Sequence, residues 1–282
     1  MSNNPLSKHF RQPRLFIKLP SGGNWYPRGS LEMTETGEFP VLAMTAKDEI
    51  MFKTPDALLN GQSTVSVIQS CIPNIKNAWH IPSIDLDAIL LAIRIATYGE
   101  KMDLNITVPN TDEERSWEID LRTVLDQINS AEYNNVARFG DFSFEFAPIS
   151  YKYFTETALK TFEEQRILRI VNDDTMSETE KVQKFTETFK RLTELNISTV
   201  LKSVVAIQYL EDEVVSDPKH IAEFFENTDK ELYKNVIEHI DTQRQKFSIQ
   251  PQTVRLPQED VDKGAPETIE IPITFDQSNF FA

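Results

Sequence analysis

The residues able to do chemistry are few and scattered. None of the four histidines has a second histidine at metal-ligand spacing: His9, His80, His220 and His239. The single cysteine, Cys71, excludes a disulfide within the chain and every zinc site built on paired cysteines. Because a cysteine nucleophile needs a neighbouring base, which the sequence does not supply, we interpret Cys71 as a buried thiol. The chain has neither a Gly-x-Ser-x-Gly elbow nor a glycine-rich phosphate loop.

Paired carboxylates are the remaining candidates for catalysis. Asp85 and Asp87 lie two residues apart on a predicted helix and therefore point in different directions. We expect Asp85 to stabilise the start of that helix, and Arg94 of the same apolar helix to pair with a carboxylate. These are structural roles, so we predict no catalytic residue, no metal and no cofactor. The rival is a hydrolase with an unrecognised carboxylate site, which requires acids with raised pKa values converging in a cleft.

Helix signals cluster between residues 45 and 99. Thr45 and Asp48 form a capping-box-like start, and Ser83 is placed to cap a long helix that Gly99 ends. Between them, a cap residue precedes a proline at the first helical position, and a glycine can close that short helix: Thr54, Pro55, Asp56 and Gly61. The long helix is apolar almost all round, which predicts that it is buried on all sides and forms the core of an N-terminal domain.

Strand signals lie on both sides of a second helical stretch. Alternating runs at residues 104–108 and 117–121 predict a hairpin, and residues 142–146 predict a further strand. A similar pair of runs at residues 253–257 and 267–275 predicts a C-terminal hairpin, and the two hairpins could pair in space. Residues 151–247 read as helices. One of them starts near Ser177, with Glu180 as its capping-box partner, and continues, with a break near Asn196, to Leu210. Their Phe and Leu stripes indicate helix packing, with a groove for a partner helix as the alternative.

These patterns predict an α+β fold with four parts. They are an extended basic arm (1–30), a mixed N-terminal domain (31–150) with a buried helix and hairpins, a helical region (151–247), and a C-terminal hairpin and tail (248–282) that returns to the N-terminal domain. No apolar run is long enough for a signal peptide or a bilayer-spanning helix, so we expect a soluble protein.

Charge is distributed unevenly along the chain. The formal net charge is −15, yet residues 1–30 hold five basic residues and no acidic ones, which leaves −20 on the rest. An acidic body argues against a general binder of nucleic acid or anionic membranes. The basic arm could bind a partner or lie on its own acidic body, and both readings stay open. Binding of nucleic acid through the arm alone is a third and less favoured reading.

Aromatic residues of the arm and tail are the candidate partner-binding residues. Phe16, Trp25 and Tyr26 would act as apolar anchors, and Arg11, Arg14 and Lys18 would steer the arm towards an acidic patch. Gly22 and Gly23 supply the turn that presents them. Docking of these aromatics on their own domain is the alternative. Phe280 and Phe281 near the C-terminus are either tucked into the core or held by a partner.

The sequence between Thr45 and Glu100 resembles a known family. The matching motifs are Lys53-Thr-Pro-Asp-Ala-Leu-Leu-Asn-Gly61, Ile68-Gln-Ser-Cys71, Pro82-Ser-Ile-Asp-Leu-Asp87 and Ala92-Ile-Arg-Ile-Ala-Thr-Tyr-Gly99, together with Lys18-Leu-Pro-Ser-Gly-Gly23, Tyr26-Pro27 and the terminal Phe280-Phe281. Together they span about a third of the chain and resemble the T4-type baseplate hub proteins of contractile-tailed bacteriophages, whose family includes hub subunits and hub assembly factors.

The resemblance implies a structural or assembly role without a reaction. Its partners would be other hub or tail-tube proteins, its location the host cytoplasm during assembly and, for a permanent subunit, the virion tail. A permanent subunit and a transient chaperone stay equally open, as does a homo-oligomer. One departure matters: some members place a Cys-x-x-Cys in each hairpin, suggesting a small zinc knuckle, whereas this chain reads Val108-Pro-Asn-Thr111 in the first loop and has no cysteine in the second. We therefore expect ordinary packing to hold the hairpins.

Overall fold

The computed structural model of the chain describes residues 5–6, 9–52, 61–111, 113–171 and 177–273. Within these residues the helices are α1 (Ala46–Phe52), α2 (Gln62–Cys71), α3 (Ser83–Tyr98), α4 (Leu121–Ser130), α5 (Tyr151–Val171), α6 (Glu178–Ser203), α7 (Pro218–Asn227), α8 (Lys230–Lys246) and α9 (Gln258–Asp262). The strands are β1 (Pro13–Lys18), β2 (Glu38–Leu42), β3 (Lys101–Thr107), β4 (Glu114–Asp120), β5 (Val136–Phe139), β6 (Phe142–Phe146), β7 (Val204–Tyr209), β8 (Gln252–Arg255) and β9 (Thr268–Ile271). The α+β prediction is confirmed.

The largest core surrounds α3. This helix buries residues on every side, among them Ile84, Ile89, Leu91 and Ile93. Strands β1 and β2 pair in antiparallel fashion and contribute Ile17, Phe39 and Val41 to the same core. Gly99 ends α3 as predicted. Ser83 does not cap α3 with its side chain, because Pro82 holds the cap position and the Ser83 backbone N–H donates to the Ile149 carbonyl instead.

A second core lies between a three-stranded antiparallel sheet and helices α6, α7 and α8. Phe144 and Phe146 of the sheet pack there against residues that include Val204, Ile221 and Val236. The sheet has the order β5-β6-β7, so it joins residues 136–146 to the helical region across the predicted boundary at 150/151. The expectation that a helix continues to Leu210 is wrong beyond Ser203, where β7 begins and pairs with β6.

The C-terminal hairpin β8–β9 returns to the first half of the chain, as predicted. Ile271 and Ile273 enter the core around α3. The hairpin also meets β3–β4, and a small third core of Val108, Leu256 and Ala265 lies between the two. None of the helices in the described ranges combines the length and apolarity that crossing a membrane requires.

Two predicted capping boxes are present. Thr45 and Asp48 exchange hydrogen bonds at the start of α1, where the Thr45 backbone N–H donates to Asp48 Oδ2 over 2.8 Å. Ser177 and Glu180 do the same at α6. Gly61 adopts a positive φ of 75° directly before α2 and so begins this helix. The predicted short helix that Thr54, Pro55 and Asp56 would start lies outside the described residues, as do Phe280 and Phe281.

Candidate protein-protein interface

The outer side of strand β1 presents an exposed aromatic ring between two cations. Residues alternate along the strand, so Ile17 points into the core while Arg14, Phe16 and Lys18 point outward. Phe16 is 57% exposed and lies opposite Pro40 of β2. We call Arg14, Phe16 and Lys18 the β1 face. The inner side of the same strand packs within the first core of this chain. The exposed Phe16 ring therefore does not mark a place where an element of this core is missing.

Both cations of the β1 face are available to an external acid. Within the described residues neither Arg14 nor Lys18 forms an ion pair, although Lys18 lies opposite Glu38 in the strand register. Exposed charges that are not held in a pair set the local potential and steer an approaching partner. The β1 face therefore combines an exposed aromatic ring with two cations that form no ion pair in the described part of the chain.

Arg11 is held inside the domain. Its guanidinium donates to the Ala43 carbonyl and, over 2.7 Å, to Ser70 Oγ, and it lies 3.4 Å from the buried carboxylate of Asp48. These contacts fix the chain just before β1. For Arg11 they favour the alternative in which the basic arm lies on its own acidic body. Cys71 lies beside the guanidinium and is fully buried, which confirms the interpretation as a buried thiol. Burial raises the pKa of its thiol to about 12.

The glycine turn and Tyr26 are fixed by one buried carboxylate. Asp85 accepts hydrogen bonds from the Ser21 backbone N–H at 2.7 Å, from Ser21 Oγ at 2.6 Å and from the Tyr26 hydroxyl at 3.0 Å. Gly22 and Gly23 adopt φ values of 62° and 86°, which favour glycine, so they act as turn residues. Asp85 thus ties the start of α3 to the turn, which goes beyond the predicted interaction with the helix dipole.

Trp25 differs from the adjacent Tyr26, because its ring stays partly exposed. Its backbone has a φ of 63°, an uncommon value for a residue other than glycine. The indole packs edge-on against Tyr133 at a centroid distance of 5.2 Å, and 38% of the residue remains exposed. Of the three predicted anchors, Phe16 and Trp25 reach the surface and Tyr26 serves the turn.

The acids with raised pKa values do not form a catalytic pair. Burial raises the pKa of Asp85 to about 6 against the opposing effect of its hydrogen bonds. Burial also raises the pKa of Asp87, which accepts from the Ile249 backbone N–H over 3.0 Å. Each carboxylate holds a different piece of backbone in place. Their geometry is that of structural residues and lacks the converging cleft that the hydrolase hypothesis requires.

Arg94 does not pair with a carboxylate in the described part of the chain, so that expectation is wrong there. Its guanidinium lies 4.7 Å from the centre of the Tyr98 ring and donates a long hydrogen bond of 3.4 Å to the Gly99 carbonyl. Burial lowers the pKa of this arginine. A cation over an aromatic face can remain charged without a carboxylate because the ring is negative at its face.

A second exposed apolar surface lies on the hairpin of α5 and α6. Phe162, Phe185 and Phe189 are each more than half exposed, and so is Val182. Phe185 and Phe189 stack one helical turn apart, with ring centroids 6.4 Å from each other. We call Phe162, Val182, Phe185 and Phe189 the hairpin face. The helix-packing interpretation is wrong for Phe162, Phe185 and Phe189, which are exposed in the structure and are not among the predicted partner-binding residues.

A groove runs along the base of this hairpin. It has a volume of about 560 Å³ and lies between α5, α6 and α8. Phe154 and Phe162 of α5 line one side and Ile237 and Ile240 of α8 the other. The alternative of a groove for a partner helix would apply to this cavity and stays a prediction.

Side-chain contacts join the hairpin β3–β4 to the hairpin β8–β9. Arg115 of β4 makes a two-pronged contact with the buried carboxylate of Asp260, at 2.9 and 3.1 Å. Lys263 pairs with Glu113 over 2.8 Å, and the Asn110 side chain donates to the Gly264 carbonyl. The third core confirms the expected packing between the hairpins, and the ion pairs and hydrogen bonds join them in addition. No group of three metal-ligating side chains occurs among the residues that the structure describes.

Comparison with known protein families shows the family to which the chain belongs. A family model described as T4 bacteriophage base plate protein matches residues 17–252, a range that takes in the last two residues of β1, most of the first core, the second core and the α5–α6 hairpin. The chain belongs to this base plate family. The match extends well beyond the third of the chain that carries the motif resemblance, and it takes in the helical region. No curated protein and no solved structure matches the chain.

Proposed function

We propose that this base plate family member is a non-enzymatic hub protein that acts in baseplate and tail assembly through protein-protein contacts. The observation that carries the proposal is the β1 face, on which an exposed Phe16 stands between two cations without ion pairs in the described chain. The family match supports a role connected with the phage baseplate. The exposed aromatics supply the means of attachment to its other components.

Phe16 would be the anchor of the interface. A large ring that leaves water for a pocket contributes much of the binding energy of an interface, whereas charges at the rim mainly set the rate of approach. Arg14 and Lys18 would therefore steer the β1 face towards an acidic patch on a hub or tail-tube protein. The half-exposed Trp25 is the second surface aromatic of this segment and can extend the contact.

Arg11 and Tyr26 would contribute indirectly. Their hydrogen bonds to Ser70 and Asp85 hold the two ends of the segment that carries β1. A surface whose backbone is already fixed loses less conformational entropy on binding. The β1 face is thus preorganised. Deletion of residues 1–30 would remove the core residues Ile17 and Leu19 as well as the face, so single-residue variants test docking more cleanly.

Two forms of the proposal differ in the fate of the protein. A hub subunit would assemble in the host cytoplasm and remain in the virion tail, whereas a transient assembly chaperone would bind the same partners and leave. The hairpin face suits either form, because an exposed stripe of phenyl rings can pack against a neighbour permanently or shield its apolar surface for a time.

A tagged pull-down from phage-infected cells tests the proposal. We expect the wild-type protein to capture baseplate proteins, and Phe16→Ser to capture at least about tenfold less. Val136→Ser, at another exposed apolar residue, is the matched control and should capture wild-type amounts. Undiminished capture by Phe16→Ser, or no tail protein captured by the wild type, would contradict the proposal. Mass spectrometry of purified virions then separates a subunit, which is present, from a chaperone, which is absent.

A further inference from the structure

An aromatic pocket opens on the far side of the second core. Phe142 of β6, Tyr209 of β7 and Phe224 of α7 line it, and the Phe142 ring lies 5.0 and 5.2 Å from the other two rings. The cavity has a volume of about 350 Å³. Its walls are largely apolar and it is open to water, so an apolar side chain that replaced this water would be stabilised.

Acidic side chains flank the pocket on two sides. Asp212 and Glu213 line its rim, and Asp141 and Glu231 line a neighbouring depression on the other side of Phe142. Within the described residues none of these four carboxylates forms an ion pair. The surrounding stretch 204–229 contains seven acidic residues and one lysine, which gives it a formal charge of −6. We call this arrangement the acid-flanked pocket.

The loop at the rim holds apolar side chains in water. Leu210 is 59% exposed and adopts a φ of 49°, which is sparsely populated for a residue with a side chain. Val214, in the same loop, is more than half exposed. An exposed leucine on a strained backbone does not help the isolated chain, but it enlarges the apolar rim that an occupant would contact.

The complementary pattern lies on the same chain. The β1 face has a cation, an aromatic ring and a second cation, whereas the acid-flanked pocket has acids, aromatic walls and further acids. Arg14 and Lys18 are four residues apart on a strand, a span of about 13 Å. Phe16 lies midway between them. The charges are opposite in sign on the two surfaces, and each surface offers an apolar centre.

We propose that the acid-flanked pocket receives the β1 face of a second copy of the chain. Phe16 enters the aromatic pocket, Arg14 and Lys18 meet the flanking acids, and water leaves the three aromatic walls. The face and the pocket belong to different strands and different cores, so the contact is head-to-tail. A head-to-tail contact produces a ring if the rotation closes and an open chain if it does not.

The inference takes from the proposed function only the docking chemistry of the β1 face. Binding of a baseplate partner and binding of a second copy would compete for Phe16, but only self-association uses the pocket. Variants of the pocket therefore separate the two proposals.

Sedimentation velocity of the full chain tests the inference. We expect concentration-dependent association at low ionic strength that weakens at physiological salt, because exposed charges are screened over about 10 Å. Arg14→Glu with Lys18→Glu, and separately Asp212→Lys with Glu213→Lys, should each weaken self-association at least about tenfold. A chain with all four substitutions restores opposite charges and should associate again. Lys160→Glu with Lys184→Glu, both exposed on the α5–α6 hairpin, is the charge-matched control and should associate like the wild type.

Two results would overturn the inference. One is a protein that stays monomeric at every concentration and low salt. The other is association that persists in both charge-reversed variants, which would place the contact elsewhere, such as on the hairpin face. In either case, undiminished capture of baseplate proteins by Asp212→Lys with Glu213→Lys would leave the proposed function intact.

Discussion

Helices α3 and α6 carry similar apolar signals and end in opposite environments. Both have large apolar residues at helical spacing, but α3 packs against β1, β2, α2, α4 and α5 and buries its whole circumference. Helix α6 contacts α5 along its length and meets α7, α8 and β7 only through a few residues. Its residues Val182, Phe185 and Phe189 therefore remain in water.

The difference shows that apolar spacing predicts a helix but not what covers it. A buried stripe needs enough neighbouring elements, and the first core has them whereas the α5–α6 hairpin does not. The first core supplies folding free energy. In our proposal, the hairpin face and the β1 face supply surface for other molecules instead, so stability and binding are assigned to different parts of the chain.

The largest expected effect is the loss of stability on truncating an apolar side chain of α3, compared with a similar truncation in α6. Leu91→Ala in α3 should lower the free energy of unfolding by about 2–5 kcal/mol, because it removes buried contacts and leaves a cavity. Phe189→Ala in α6 should change it by at most about 0.5 kcal/mol, because the ring is 61% exposed. Urea unfolding measures both. Equal losses in the two variants would mean that the hairpin phenyls are covered within the monomer.

A pH titration probes how far the Asp85 carboxylate in the first core is shielded from water. The pKa of Asp85 is raised to about 6 because burial penalises its charged form. A group that holds its proton more tightly when folded contributes stability that is full below its unfolded pKa of about 4 and is lost as the pH rises through 6. Through this group, the unfolding free energy of the wild type should fall by up to about 3 kcal/mol as the pH rises from about 4 to above 6. The Asp85→Asn variant lacks the group and should not show this part of the fall. An unchanged pH profile in Asp85→Asn would show that this carboxylate is open to water.

Two glycine substitutions test the contact between the first core and helix α5 of the α5–α6 hairpin. Gly61 has a φ of 75°, and a Cβ there would lie 3.0 Å from Thr155 Cγ2 of α5. Gly140 has a φ of 60° with open space around it. Gly61→Ala should destabilise the chain by the backbone cost of about 1 kcal/mol plus the clash, and Gly140→Ala by the backbone cost alone. Thermal unfolding of the two variants measures the difference, and equal melting temperatures would mean that α5 yields freely at this contact.

The smallest expected effect concerns the joined hairpins. Arg115 holds the pKa of Asp260 below its ordinary range, through hydrogen bonds and opposite charge. A group with a lowered pKa stabilises the fold above its unfolded pKa, and this contribution is lost as the pH falls through the folded pKa. Asp260→Asn should therefore melt at a lower temperature than the wild type at neutral pH, and the gap should close in acid. A gap of constant size across the titration would assign the effect to packing instead of charge.

The sequence predicted local structure well where local signals decide it. The capping pairs Thr45–Asp48 and Ser177–Glu180, the end of α3 at Gly99 and both hairpins follow from residue types within a few positions. Strand β7 was missed because Val204 follows Ser203 without a glycine or proline to mark the change from helix to strand. The β-branched residues of β7 were the available signal.

The candidate interface was predictable only in part. Alternation along β1 puts Arg14, Phe16 and Lys18 on one side, and the structure keeps them exposed. Arg11 and Tyr26 carry the same chemical signals, but distant partners at Ser70 and Asp85 draw them inward. Exposure of Phe162, Phe185 and Phe189 depends on how many elements reach the hairpin, and no spacing within one helix encodes that number.

Hydroxyl-radical footprinting tests the central claim that these exposed faces are covered during baseplate assembly. Oxidation of the tagged protein is compared alone and in the complex captured from infected cells, with the exposed Val136 as an internal reference. We predict that Phe16 and the hairpin phenyls lose most of their oxidation in the complex while Val136 keeps its own. Phenyl rings that are oxidised as readily in the captured complex as in the free protein would contradict the account.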